Sequence, residues 1–318
     1  MVKMSLEEAN RFLDKKYVEQ FLNKNSVKIF GHQESAEVAK IDRSNTLNPT
    51  SYNILYSIKI GSQYRDIRAA TSTIWDYDYN FNTLKLLYEN GFGKGDVLVA
   101  KPLAYFSEFN LMCYENVEGD QLKSKLNEDI TYLKDKVKLV ACALKKIHQH
   151  KKISYHLWDH DWNFNTTQIS RYDQKLADQV INIRTKILAE LARNTDKCLC
   201  HGDFQPDNIL AKGQFLYIID WGSTTLAQKE MDLASFVIKL NIMLPEFGNA
   251  EYFEPLRECF LTSYGLYDQR MFRLFSTLYS IRILNSFAEF PEYENAKKRI
   301  PLAIKVFNDN FSQLEYET

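Results

Sequence analysis

Residues 198–222 read CLCHGDFQPDNILAKGQFLYIIDWG and hold His201, Asp203 and Asn208, with Asp220 closing the apolar run Ile218-Ile219-Asp220. The runs NIL and FLYII flank Lys212-Gly213-Gln214, which predicts a β-hairpin with a glycine turn. Such a hairpin brings Asn208 and Asp220 back toward one end. Two carboxylates and an amide beside buried strands suit phosphoryl transfer. Mg²⁺ is a hard cation that takes oxygen ligands, and a strand-end aspartate and an asparagine carbonyl supply them. A separate carboxylate must orient the acceptor hydroxyl and take its proton.

The spacing from Asp203 to Asn208 is that of the catalytic-loop pattern H-R-D-x-x-x-x-N. At a usage of roughly 5% per residue type, four fixed residues coincide by chance about once in 10⁵ positions. A hairpin whose polar residues only cap turns is the weaker alternative.

The elements that must position these groups fall into two halves. Ser5 and Glu8 form a capping box that starts a helix toward Asn23. VKIF, AEVAKID, YNILYSIKI and YRDIRAATS then read as strands, the last two as an antiparallel hairpin around GSQ. NFNTLKLLYEN has helical periodicity and stops at Gly91; VLVAKPLAYF and FNLMCYENVEG are further strands. From Gly119 the pattern is mainly helical, over 128–149, 172–192, 230–243, 252–263, 268–288 and 299–313, interrupted by the short strands of 198–221. A β-rich lobe over 1–116 and a helical lobe over 117–318 are expected.

Composition narrows the partners. The 318 residues carry 40 basic and 41 acidic side chains, a net charge of −1, and 45% hydrophobic positions. This excludes collagen-like, low-complexity and multi-span membrane chains. The lysine pairs at 15–16, 145–146, 151–152 and 297–298 are dispersed, so neither nucleic acid nor membrane is an expected partner. Glycine numbers only 11, and neither G-x-G-x-x-G nor G-x-x-x-x-G-K-[ST] occurs. The polar N-terminus lacks a signal-like apolar core, and the five scattered cysteines read as reduced thiols, so a cytoplasmic location is expected. Cys198-Leu-Cys200-His201 reads as strand thiols rather than a zinc site.

His201-Gly202-Asp203-Phe204-Gln205-Pro206-Asp207-Asn208-Ile209-Leu210, followed by Ile219-Asp220-Trp221, resembles the aminoglycoside phosphotransferase and choline kinase family. The resemblance is strong over 198–236 and fair over 110–150. It implies a bilobal protein-kinase-like α+β fold and transfer of the γ-phosphate of ATP or GTP to a small-molecule hydroxyl. It implies Asp203 as catalytic base and Asn208 and Asp220 as Mg²⁺ ligands. Asn110–Gly119 resembles the strand and hinge that contact the purine, with backbone groups from Glu115 to Val117 facing it. Ala143–His148 resembles the end of the first large helix of the second lobe, and Asp232-Leu233-Ala234 resembles the aspartate that braces the catalytic loop. His201 is read as a brace.

Asp232 follows Asp220 by only 12 residues, and no A-P-E motif intervenes, which argues against a kinase of proteins. The phosphate-binding lysine of the first lobe is not plain. If YRDIRAATS is the third strand its position holds Arg68; if YNILYSIKI is, Lys59. Arg68 is favoured because that strand leads directly into a helix. Its acidic partner would be Asp76 or Asp78, each of which also suits a helix N-cap. Gly31–Ser35, read as lying between two strands, is the best candidate for a phosphate-covering loop, with an ordinary hairpin turn the equal alternative. A nucleotide-binding pseudokinase or scaffold is therefore the alternative. His148, His150, His156 and His160 are expected at surface or capping positions, with zinc binding by His156 and His160, at i, i+4, the weaker alternative. WDHDWNF is expected as a packed connection, with binding of a cationic substrate the alternative. The aromatic residues of the C-terminal third are expected mostly in the core, some walling a substrate pocket.

Overall fold

The computed structural model describes residues 5–44, 50–74, 76–150, 162, 167–171, 173–289 and 296–315. The chain forms two compact units. One comprises 1–119 with 212–222, the other 120–211 with 223–318.

The first unit opens with three helices, α1 (Leu6–Arg11), α2 (Lys15–Lys24) and α3 (Ser26–Phe30). The expected continuous helix breaks after Arg11, because the Asp14 carboxylate caps a new start by accepting from Tyr17 N–H at 2.7 Å. VKIF, expected as a strand, is the body of α3. Val27 is 56% exposed and Ile29 only 3%. In a strand these two would share a face; a helical turn separates them. Gly31 ends α3 in a left-handed conformation, so Gly31–Ser35 connects a helix to a strand rather than two strands.

Strands β1 (Ala36–Ser44), β2 (Ser51–Ile60) and β3 (Gln63–Ser72) follow, then α4 (Asp78–Leu87), β4 (Val97–Val99), β5 (Pro102–Phe106) and β6 (Leu111–Glu115). The antiparallel sheet has the order β1-β2-β3-β6-β5. Along β2 the alternation puts Tyr52, Ile54, Tyr56 and Ile58 on one buried face. That face packs on Phe12, Val18, Phe21 and Leu22 of the leading helices. Each such large side chain contributes about 1.5–3 kcal/mol by leaving water. Tyr52 and Tyr56 satisfy their hydroxyls on Asn10 Oδ1 and Phe12 O. The opposite face is the one that carries Arg68, cross-strand from Leu55 and Tyr114.

The second unit contains β7 (Asp120–Gln121), α5 (Ile130–Ile147), α6 (Thr167–Ser170), α7 (Gln174–Leu191), β8 (Cys198–Cys200) and β9 (Ile209–Lys212). Strand β10 (Phe215–Ile218) returns to the first unit and lies parallel to β4. The second unit resumes with β11 (Thr225–Ala227), α8 (Glu230–Met243), α9 (Phe253–Tyr264), α10 (Gln269–Glu289) and α11 (Ala296–Glu315). Strand β8 pairs with β11, and β7 with β9. Helix α8 is the centre of this unit: all of it is buried except the half-buried Lys239 and Asn241. Phe236 stacks on Phe260 of α9, with ring centroids 4.4 Å apart. Among the described residues, no helix is long and apolar enough to cross a membrane.

Candidate active site

In the second unit the chain leaves β8 through His201 and Gly202. Gly202 has φ +83°, and a Cβ there would lie 1.9 Å from Ser223 O, so only glycine fits this corner. The buried Asp232 of α8 holds the corner from beneath. It accepts from the N–H groups of His201 at 2.7 Å and Gly202 at 2.9 Å. His148 Nε2 lies 3.1 Å from the same carboxylate, and His148 Nδ1 lies 2.8 Å from the Tyr264 hydroxyl. Burial alone would raise the Asp232 pKa. The hydrogen bond and charge from His148, with His201 and the Gly202 N–H, outweigh it and hold the group below the usual carboxylate range. The Tyr279 hydroxyl donates to Gly202 O at 3.2 Å.

This bracing fixes Asp203. Its N–H donates to His201 Nδ1 at 3.3 Å, and its Oδ2 accepts from Gln205 Nε2 at 2.7 Å. Asn208 Nδ2 donates to Asp203 O at 2.8 Å and to Asp203 Oδ2 at 3.2 Å. Both partners are oxygens, so the amide nitrogen must face the loop and Oδ1 is turned away from it. Asp203 lines a cavity of about 310 Å³ together with Gln205, Lys239, Tyr279 and Phe287. Tyr279 is therefore both core and cavity wall. Phe260, Tyr264, Phe272 and Phe275 are buried, as their amphipathic spacing predicts.

In the first unit Asp220 stands just past the end of β10, exposed and at φ +61°. A non-glycine residue in this region is uncommon and marks a constrained turn. The Tyr79 hydroxyl donates to Gly222 O and pins the following turn. The Asp220 charge acts on three tyrosines, Tyr77, Tyr79 and Tyr114. Burial, with the nearby Asp220 charge adding to it, pushes Tyr79 up to about 12 and Tyr77 up as well. Burial also raises Tyr114 to about 12, against the opposing charge of Arg68.

Arg68 Nε donates to Asn116 Oδ1 at 2.7 Å, and one terminal nitrogen donates to Asn53 Oδ1 at 3.1 Å. No carboxylate pairs with it among the described residues. Asp76 instead accepts from Asp78 N–H at 2.9 Å, a local turn at the start of α4. Lys59 lies on the same sheet face but four residues beyond Leu55, the cross-strand partner of Arg68, beside the Gly61 turn. That is roughly 13 Å along the strand.

Glu115 and Val117 line a cavity of about 150 Å³ with Asn116, Val99, Lys101 and Tyr217. The N–H of Glu115 donates to Lys101 O and that of Asn116 to Asp66 O, whereas Val117 makes no backbone bond through its N–H among the described residues. Val117 thus has a backbone donor to offer.

The predicted residues sort into two groups. Asp203 and Asn208 are in direct contact within the second unit; Arg68, Glu115, Val117 and Asp220 belong to the first. His148, expected at a surface or cap, ends α5 but is 6% exposed and links Asp232 to Tyr264. His156 and His160 lie outside the described residues, as does WDHDWNF except for Trp162, whose ring meets Tyr279 edge-on. Cys198, Cys200 and His148 place their ligand atoms within 4.8 Å of one another. Both ring nitrogens of His148 are already bonded and burial pushes the Cys200 thiol up, so the strand-thiol reading stands. Gln205, Lys239, Asn53, Asn116 and Tyr79 were not singled out in the sequence. For Lys239 a signal existed, a lone cation inside the apolar run ASFVIKLNIML.

The profile of the phosphotransferase enzyme family matches residues 76–270. The chain belongs to this family. No curated protein sequence matches the chain. Solved structures of family type share its fold. An amicoumacin kinase in complex with AMP-PNP, Ca²⁺ and Ami superposes with TM-score 0.62 at 12% identity, covering 96% of each chain. Choline kinase from Streptococcus pneumoniae gives TM-score 0.59 at 18% identity, over 92% of this chain and 99% of the other. A spectinomycin phosphotransferase in complex with ADP and spectinomycin gives 0.55 at 15%, over 91% and 93%. The family's fold is the kinase-like α+β arrangement, with a β-rich first part and a helical second.

Proposed function

We propose that this phosphotransferase moves the γ-phosphate of ATP, or of GTP, to a hydroxyl of a small molecule in a Mg²⁺-dependent reaction. The observation that carries the reading is the Asp203 carboxylate, fixed by Gln205 and Asn208 and aimed at a 310 Å³ cavity. Asp203 orients the acceptor hydroxyl and takes its proton as the oxygen attacks phosphorus. The Asn208 amide oxygen and the Asp220 carboxylate are hard donors of the kind Mg²⁺ takes, and they would hold the ion that offsets phosphate charge. The first unit serves the nucleotide: Val117 offers a hinge N–H to the purine, and Arg68 a guanidinium to the phosphates. The second unit serves the acceptor. Relatives that bind ADP or AMP-PNP support the nucleotide assignment. All five cysteines are unpaired thiols, which suits the cytoplasm.

Arg68 is tied to amides rather than to a carboxylate, and this favours a second reading, nucleotide binding without turnover. ADP release measured with Mg-ATP across a panel of small alcohols separates the two. Turnover that Asp203→Asn removes supports transfer. Nucleotide binding without ADP release in either protein would establish the scaffold.

A further inference from the structure

The cavity at Asp203 carries an unusual charge pattern. Its charged lining includes two ion pairs. Lys123 Nζ meets Asp207 Oδ1 at 3.1 Å, and Arg299 grips Glu246 with two nitrogens at 2.6 Å each. Asp203, Lys239 and Arg282 line the same cavity.

Lys239 is the informative member. It is the one cation of a helix that is buried except at Lys239 and Asn241, and its side chain opens onto the cavity. Among the described residues, its ammonium makes no hydrogen bond or ion pair. Burial draws its pKa down, an effect that the carboxylate of Asp203 opposes. A lysine kept half-buried beside a proton acceptor has a cost that solvation by a surface would remove. An anionic ligand removes it too. Arg282, on the next wall and 5.9 Å from the Tyr279 ring centroid, adds positive charge to the same space. A quaternary ammonium or polyamine acceptor would enter against the Lys239 charge.

We propose that the acceptor is an anionic alcohol, which presents its hydroxyl to Asp203 and a carboxylate or phosphate to Lys239. The proposal rests on the small-molecule kinase reading and names its substrate class. In the transfer, Asp203 takes the hydroxyl proton and the alcohol oxygen forms a bond to the γ-phosphorus. The bond from that phosphorus to the β–γ bridging oxygen breaks, ADP leaves, and the product is a phosphate monoester that retains its original anion. Tyr279 and Phe287 then flank the carbon skeleton.

The test compares matched acceptors. Glycerate and glycerol 3-phosphate are set against glycerol, glucose 6-phosphate against glucose, and choline and ethanolamine serve as cations. ADP release and ³¹P NMR of the product give turnover; thermal shift without nucleotide gives binding. The anionic members should exceed their neutral partners in kcat/KM by about 10- to 100-fold, the value of one charge-assisted hydrogen bond. The better of carboxylate and phosphate identifies the anion. Lys239→Met should raise the acceptor KM by the same factor, leave the ATP KM unchanged and erase the preference, and Lys239→Arg should restore it. Equal or better use of neutral or cationic acceptors would overturn the proposal. So would a Lys239→Met effect confined to the ATP KM, which would assign the lysine to the nucleotide. If no acceptor yields ADP the kinase reading fails, while the anion site is still decided by the thermal shift. Stabilisation by the anionic compounds that Lys239→Met abolishes supports it, and no stabilisation overturns it.

Discussion

Asp203 and Asp220 are both carboxylates at strand ends, yet the two units hold them by different means. Asp203 is fixed through its side chain, by Gln205 and Asn208, on a loop that Asp232 ties down from below. Asp220 is exposed and fixed through its backbone, at φ +61°, and its charge adds to the burial that raises the Tyr77 and Tyr79 pKa values. The difference suits the two tasks proposed for these carboxylates. A general base must point along one direction, so its carboxylate needs orienting donors. A metal ligand must keep its charge and lone pairs for the ion, so donors on the carboxylate would compete with it.

The largest effect that tests this contrast is at Asp203. Asp203→Asn should lower kcat by about 10²- to 10⁴-fold, the worth of general-base catalysis. The thermal shift with Mg-nucleotide should persist. Loss of that shift would mean that Asp203 serves binding rather than proton transfer.

Asp232 comes next, measured as stability. Asp232→Asn puts an amide NH₂ against backbone donors and removes the partner of His148, which should cost about 3–5 kcal/mol by denaturant unfolding. The folded pKa of Asp232 is lowered. Its contribution is therefore complete above about pH 4, the ordinary aspartate value, and is lost as pH falls through the folded value. Wild type and variant should differ most at neutral pH and converge in acid. A constant difference would show that charge is not what the brace supplies.

Asp220→Ala should remove the Mg²⁺-dependent part of nucleotide stabilisation, about 2.7 kcal/mol at a hundredfold excess over Kd. An unchanged shift would contradict its assignment as a ligand. The smallest effect is expected for Tyr79→Phe, which deletes one hydrogen bond to Gly222 O and should cost about 1 kcal/mol. If Tyr79 positions Asp220, this variant should also weaken Mg²⁺ binding. An altered stability alone would leave Tyr79 as packing.

The motif of the second unit was legible because its residues are close in sequence and its spacing is set by one loop. Asp203, Asn208, Gly202 and Asp232 could all be read there, and the helices around them followed from apolar periodicity. The first unit was harder. Arg68 is held by Asn53 and Asn116, which are far apart in sequence, and sheet pairing alone brings them together. VKIF failed as a strand because four apolar-biased residues carry no periodicity that separates a strand from a helical turn. His148 caps α5, as expected, but its burial was not legible because it depends on α8 and α9, more than 80 residues away. Lys239 passed unnoticed because a lysine in a helix is ordinarily solvated. Its meaning comes from the cavity it opens onto.

The backbone at Asp220 sets stability and function against each other. A left-handed aspartate is held at roughly 1 kcal/mol above glycine in the same turn. In a library sorted only for heat resistance, Asp220→Gly should therefore be enriched. Sorted for phosphotransfer, the same library should discard it. The position would thus mark how strongly natural selection has acted on catalysis in this chain rather than on the persistence of its fold.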